Sequence, residues 1–225
     1  MVNAAKDCGD SLNPPFQIAQ ALKEWAITIE ALCSGELMLL LRKGGIRDPE
    51  QPFALLPEVA ALFPTTEHQA ASLLQRPNWM PRDASESSEF VSTDMILLKA
   101  WVHITHRFAV QSPTALAALR PFHIWSEQFI VDRLKWRPHQ PLQVLCVRTY
   151  RLPEPILLRR FPHHRGCRSW VNLDEPIIPV GSTPILSSSD YACRLRSMAD
   201  ALQSDSPFDL KDYLVGLSGN STNQT

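Results

Sequence analysis

Nineteen prolines against eight glycines constrain this chain of 225 residues more than any other feature. Each proline fixes φ and removes a backbone donor, so it interrupts helices and favours bends and extended segments. Short strands joined by loops therefore suit the sequence better than a helical bundle. With 44% hydrophobic residues the chain can build a sizeable core. The run LMLLL at 37–41 is far too short to cross a bilayer, and no basic-headed apolar leader is present at the N-terminus. A soluble, cytoplasmic protein without membrane partners is expected. Five cysteines (Cys8, Cys33, Cys146, Cys167, Cys193), widely spaced and never in a CxxC pattern, read as reduced thiols rather than as a disulfide scaffold or a zinc knuckle.

The local patterns then set an element order. Residues 1–14 are polar and 216–225, GLSGNSTNQT, have no apolar content able to offset ordering entropy, so 1–14 is expected to be disordered and 206–225 loosely ordered around one domain spanning 15–205. FQIAQALKEW at 16–25 predicts a short amphipathic helix. The β-branched WAITIEAL, a turn at Ser34-Gly35 and LMLLLRK predict a hairpin with a buried second strand. Thr65 or Thr66 is placed to cap a helix starting near Glu67. RPNWMPRDASESSEF, 76–90, reads as a mobile loop. MILLKAWVHITHRFAV, 95–110, is a long strand, followed by two helices capped by Ser112 and Ser126. PLQVLCVRTYRLPEPILLRR supplies two extended segments broken at Pro153 and Pro155, CRSWVNL a third, and SSSDYACRLRSMADALQ a terminal helix burying Tyr191, Leu195, Met198 and Leu202. About six strands and five helices, without a βαβ rhythm, give an α+β fold with a mixed or antiparallel sheet.

Charge is distributed unevenly. The stretch from Arg120 to Arg168 holds ten of the 22 Lys and Arg against three acids, although the whole chain has a net charge of −1. It ends in HHRGCRSW, residues 163–170. Arg165 and Arg168 there suit bidentate phosphate contacts around Gly166 and Ser169, and Trp170 or Trp125 suits stacking on a base. Cys167, beside cations that lower a thiol pKa, is alternatively a nucleophile; the plainest reading is a Gly166 turn entering a strand. Arg42, Lys43, Gly44 and Gly45 form a second anion-binding candidate, in which glycines let backbone amides approach a phosphate. His68, next to Glu67, is the other catalytic candidate, with capping or packing as its alternative. His103 and His106 lie three apart on a strand and so face opposite sides, and no metal or cofactor is expected. Restriction-type nuclease chemistry lacks its acid-x-Lys element: there is no Glu-x-Lys, and the one Asp-x-Lys, Asp209 to Lys211, lies near the C-terminus. Strand alternation also splits Arg148 from Arg151 and Arg159 from Arg160, so the arginines of the basic stretch cannot all line one site.

ALKEW (21–25), LLLRKGGI (39–46), FPTTEHQ (63–69), PFHIW (121–125), VRTYRLPEP (147–155) and GCRSWVNL (166–173) resemble, in order, an uncharacterised bacterial domain-of-unknown-function family frequent in cyanobacteria. Some relatives in that family stand beside Mrr-like restriction endonuclease domains, so the resemblance implies a restriction, defence or DNA-metabolism setting and no catalytic residue. Three functions are carried forward: a nucleic-acid or nucleotide-binding module, an enzyme on a small phosphorylated or nucleotide substrate, and a subunit that docks a partner protein.

Overall fold

The computed structural model describes residues 16–43, 57–76, 90–92, 94–110, 112–136, 138–164, 166 and 169–202. The expected terminal segments and nearly all of the 76–90 loop lie outside them. All eight strands among the described residues join one mixed sheet: β1 (Ile18–Trp25), β2 (Leu39–Arg42), β3 (Val59–Thr65), β4 (Phe90–Ser92), β5 (Met95–Val110), β6 (Leu142–Arg159), β7 (Trp170–Ile177) and β8 (Thr183–Pro184). Its main order is β2-β6-β5-β3-β1-β7, with β4 added to β5 and β8 to β6. Four α-helices among the described residues complete the α+β fold: α1 (Ala26–Cys33), α2 (Pro113–Ala118), α3 (Glu127–Lys135) and α4 (Ser188–Leu202). Every pairing is antiparallel except β1 with β3, which run parallel from Ala21↔Ala61 to Trp25↔Thr65.

Residues from all four helices join one apolar cluster with Leu39, Leu40, Val144 and Leu145 of the strands. A second cluster, built from strand residues around Phe63, Ile96, Leu98 and Trp101, is separate. In it Trp101 stacks on Tyr150 with ring centres 4.2 Å apart and planes 7° from parallel. Helix α4 buries Tyr191, Leu195, Met198 and Leu202, as its period requires.

Several local expectations exchange places. FQIAQALKEW forms strand β1 rather than a helix, because it lies between β3 and β7 and buries the consecutive residues Ala21, Leu22 and Lys23. AITIEALC forms helix α1 rather than a hairpin strand, with every residue but Glu30 buried; complete burial outweighs the strand preference of its Ile and Thr. The turn at Ser34-Gly35 is present, with Gly35 at φ 77°, and β2 is buried in its first three residues. No helix starts at Glu67: the Thr65 hydroxyl accepts a hydrogen bond from Glu67 N at 3.2 Å, and His68 turns the chain at φ 62°. Pro153 and Pro155 do not break β6. They fall where β6 bulges between the pairs Ala100↔Arg151 and Leu98↔Ile156, so the ladder resumes beyond them. Ser112 and Ser126 cap α2 and α3 through Ala115 N and Phe129 N.

Candidate functional site: a cationic, indole-lined cleft

The parallel pair β1–β3 ends in an open cleft of ≈ 470 Å³. β1 contributes Lys23, Glu24 and Trp25; the end of β2 contributes Leu41, Arg42 and Lys43; the turn after β3 contributes Glu67 and His68. Trp125, Phe129, Asp132, Arg133 and Trp136 enter from α3 and its flanks, and Gly166 and Ser169 from the approach to β7. The wall that carries Trp125 is tied to the segment 73–75 by Ser126 N to Leu73 O and Gln75 N to Ile124 O, both 2.8 Å. Trp125 and Phe129 are stacked, with centres 6.0 Å apart and planes 16° from parallel, and Trp25 tilts against Phe129 at 5.7 Å.

Lys23 is buried, and its ammonium meets Glu67 Oε2 at 3.3 Å and the carbonyls of His164 and Gly166 at 3.1 and 2.8 Å. Three donors thus find three acceptors, which is what a buried lysine needs. Arg160 Nη2 approaches the other oxygen of Glu67 at 3.6 Å. Arg42 spans Glu24 Oε1 (2.5 Å), the Lys23 carbonyl (2.7 Å) and Ser169 Oγ (3.2 Å). Burial raises the Glu24 carboxyl above its ordinary pKa, with Arg42 pulling in the opposite direction. Lys43 Nζ donates to Leu134 O at 2.7 Å, near the carbonyl end of α3, where a cation complements the helix dipole. Burial lowers its pKa.

Arg133 differs from these cations. Its guanidinium lies 4.8 Å from the Phe129 ring centre, and the Glu24 carboxylate acts on it by charge while hydrogen-bonding Arg42 instead. It is half-buried. Burial lowers its pKa, Arg42 lowers it further, and Glu24 opposes both. The charged form is therefore under-compensated, and an anion in the cleft would relieve it. His68 adds an exposed imidazole at the rim, on one of the few backbone positions that favour glycine.

Of the residues singled out from sequence, Arg42, Lys43, His68, Gly166 and Ser169 line this one cleft. Gly44, Gly45, Arg165, Cys167 and Arg168 lie outside the described residues. Trp170 lies elsewhere: it pairs with Leu22 in the sheet and packs against the helical-side core. The described cations of the basic stretch have different partners. Arg148 bonds Ser188 Oγ at 2.9 Å and Arg151 bonds Cys33 O at 2.9 Å, while Arg159 lies over Phe161. Lys23, Glu24, Trp25, Arg133 and Trp136 were not singled out as site residues. The signal that could have found them is the KEW tripeptide and a cation among aromatics on the face of a capped helix.

Fold and cleft together define an α+β protein with a mixed sheet, its described helices in one core, and a cleft lined by cations and aromatic rings at the ends of a parallel strand pair. The chain belongs to the family described as Domain of unknown function (DUF1802), whose model matches residues 21–197. No curated protein and no solved structure matches it. Five of the six sequence blocks that carried the resemblance contribute residues to the cleft: ALKEW, LLLRKGGI, FPTTEHQ, PFHIW and GCRSWVNL. No helix among the described residues is long and apolar enough to cross a membrane.

Proposed function

We propose that the cleft binds a nucleotide, with the phosphate on Arg133 beside Arg42 and Lys43 and the base against the indoles of Trp25, Trp125 and Trp136. The observation that carries this reading is the half-buried guanidinium of Arg133 among aromatic rings, near a Glu24 carboxylate that is bonded to Arg42. Cations select the phosphate, and aromatic faces accept any base. A volume of ≈ 470 Å³ suits a mononucleotide or one nucleotide of a strand, within the roughly 300–1,000 Å³ usual for small-ligand sites. A nucleotide-holding module also fits the DNA-metabolism setting that the resemblance implies.

Turnover of a small phosphorylated substrate is the second reading. It is favoured by Glu24, whose carboxyl burial raises above its ordinary pKa within the same cleft, the direction a general acid needs. Docking of a partner protein has less support, since the exposed large apolar residues among those described are Leu157, Ile178 and Val180.

Equilibrium dialysis of nucleoside mono-, di- and triphosphates and of a short oligonucleotide, at low and high salt, separates these readings. One mononucleotide per chain is expected, with Arg133→Ala weakening it by about tenfold or more at unchanged melting temperature, the size of a lost charge-assisted hydrogen bond. Failure of every mononucleotide to bind, with oligonucleotides binding in steep dependence on salt, would refute the cleft as the site. Product formation during dialysis would establish the enzyme reading.

A further inference from the structure

Outside the cleft, the turn entering β7 sets two imidazoles against a strand carboxylate. His163 and His164 end a single 3-10 turn, Pro162–His164, and Asp174 lies in β7. His163 Nε2 is 3.4 Å from Asp174 Oδ1, and His164 Nε2 is 3.6 Å from Asp174 Oδ2. One ligand atom from each residue lies within 4.8 Å of the others. An ion bound tetrahedrally at about 2.0–2.2 Å has ligand-to-ligand edges of about 3.3–3.6 Å. Each imidazole Nε2 already lies at such a distance from one oxygen of the Asp174 carboxylate, and rotation of that carboxylate and of His163, whose side chains are 48% and 55% exposed, brings a single oxygen to both. A second observation points inward: His164 is 0% exposed, and among the described residues its Nε2 makes no close hydrogen bond, with the Asn172 backbone and the Asp174 carboxylate nearby.

We propose that His163, His164 and Asp174 bind a divalent transition-metal ion of the zinc class, with water completing the coordination. Two imidazoles and one carboxylate favour such an ion over magnesium or calcium, which take oxygen ligands. The His103–His106 pair gathers no third His, Cys, Asp or Glu ligand among the described residues. Without the ion, Phe161 N–H points at His164 Nδ1 at 3.2 Å, which leaves the ring proton on Nε2. Binding moves that one proton to Nδ1, frees Nε2 for the metal, and releases the Phe161 amide. The ion then ties the turn to β7. It fixes the peptide segment whose carbonyls, on His164 and Gly166, hold the Lys23 ammonium beside the cleft.

The chelator-treated full chain, titrated with Co²⁺ and followed by its visible d–d absorption, tests this. One ion per chain is expected, displaced by Zn²⁺. His163→Gln and Asp174→Asn should each weaken binding by about tenfold or more, in line with loss of a ligand. Both side chains are largely exposed, so the metal-free variants should melt as the parent does. Absence of binding would overturn the proposal. So would absorption with thiolate charge-transfer bands that persists in the two variants, which would assign the ion to cysteines.

Discussion

At the scale of single residues, the polar groups of the interior have unequal electrostatic support. Lys23 is fully partnered, whereas Arg133 feels the charge of Glu24, a carboxylate that Arg42 already bonds, and that contrast separates a structural lysine from the arginine proposed to bind ligand. Histidines provide an independent check on the buried interior. His106 and His123 are both buried, and burial pushes each down to about 4, reinforced by His103 and Arg120 respectively. Because the folded pKa lies below the ordinary 6.5, the unfolded chain binds the proton first. Their contribution to stability is complete above about pH 6.5 and is lost as pH falls toward 4. By pH 5 each should cost on the order of 1–2 kcal/mol. The melting temperature is therefore expected to fall between pH 7 and 4.5, and the fall should be shallower in His106→Gln and His123→Gln. Equal slopes in parent and variants would show that these rings are not buried neutral.

At the scale of elements, α3 positions the site, presenting Phe129 and Arg133 to the cleft behind the Ser126 cap. Ser126→Ala should lower stability to chemical denaturation by about 1 kcal/mol and weaken nucleotide binding less than Arg133→Ala does, because the guanidinium remains. Elements with local signals were legible in the sequence. Ser112 and Ser126 announce their helices, the β-branched run 95–110 announces β5, and the period Tyr191, Leu195, Met198, Leu202 announces α4. β1 and α1 were not legible in this way. Ile18, Ala21, Leu22 and Trp25 have helical spacing, yet the parallel pairing with β3 makes them a central strand, and that pairing brings together residues about 40 apart. The turn at Glu67 and His68 failed as a helix start because His68 takes a left-handed backbone conformation, φ 62°, which a right-handed helix cannot continue through.

At the scale of the whole molecule, one mixed sheet brings the ends of β1, β2 and β3 and the start of β7 to the same edge of the structure, where α3 closes the far wall. The sequence pointed to Arg42, Lys43 and His68 separately, and the basic count included Arg133 among ten cations. It could not show that Lys23, Glu24 and Trp25 face them, because that follows from strand order rather than spacing. The six indoles of this chain make the assembled cleft directly observable. Three of them, Trp25, Trp125 and Trp136, line the cleft, while Trp101 bonds Ser182 in the opposite cluster and Trp170 packs in the sheet. The most direct measurement is a titration of the ¹⁵N-labelled protein with a nucleoside monophosphate, read at the indole Nε1–H resonances. Saturable shifts are expected at Trp25, Trp125 and Trp136, with Trp101 and Trp170 unmoved and all shifts lost in Arg133→Ala. Unchanged cleft indoles at saturating nucleotide, or shifts confined to Trp101 and Trp170, would contradict the account.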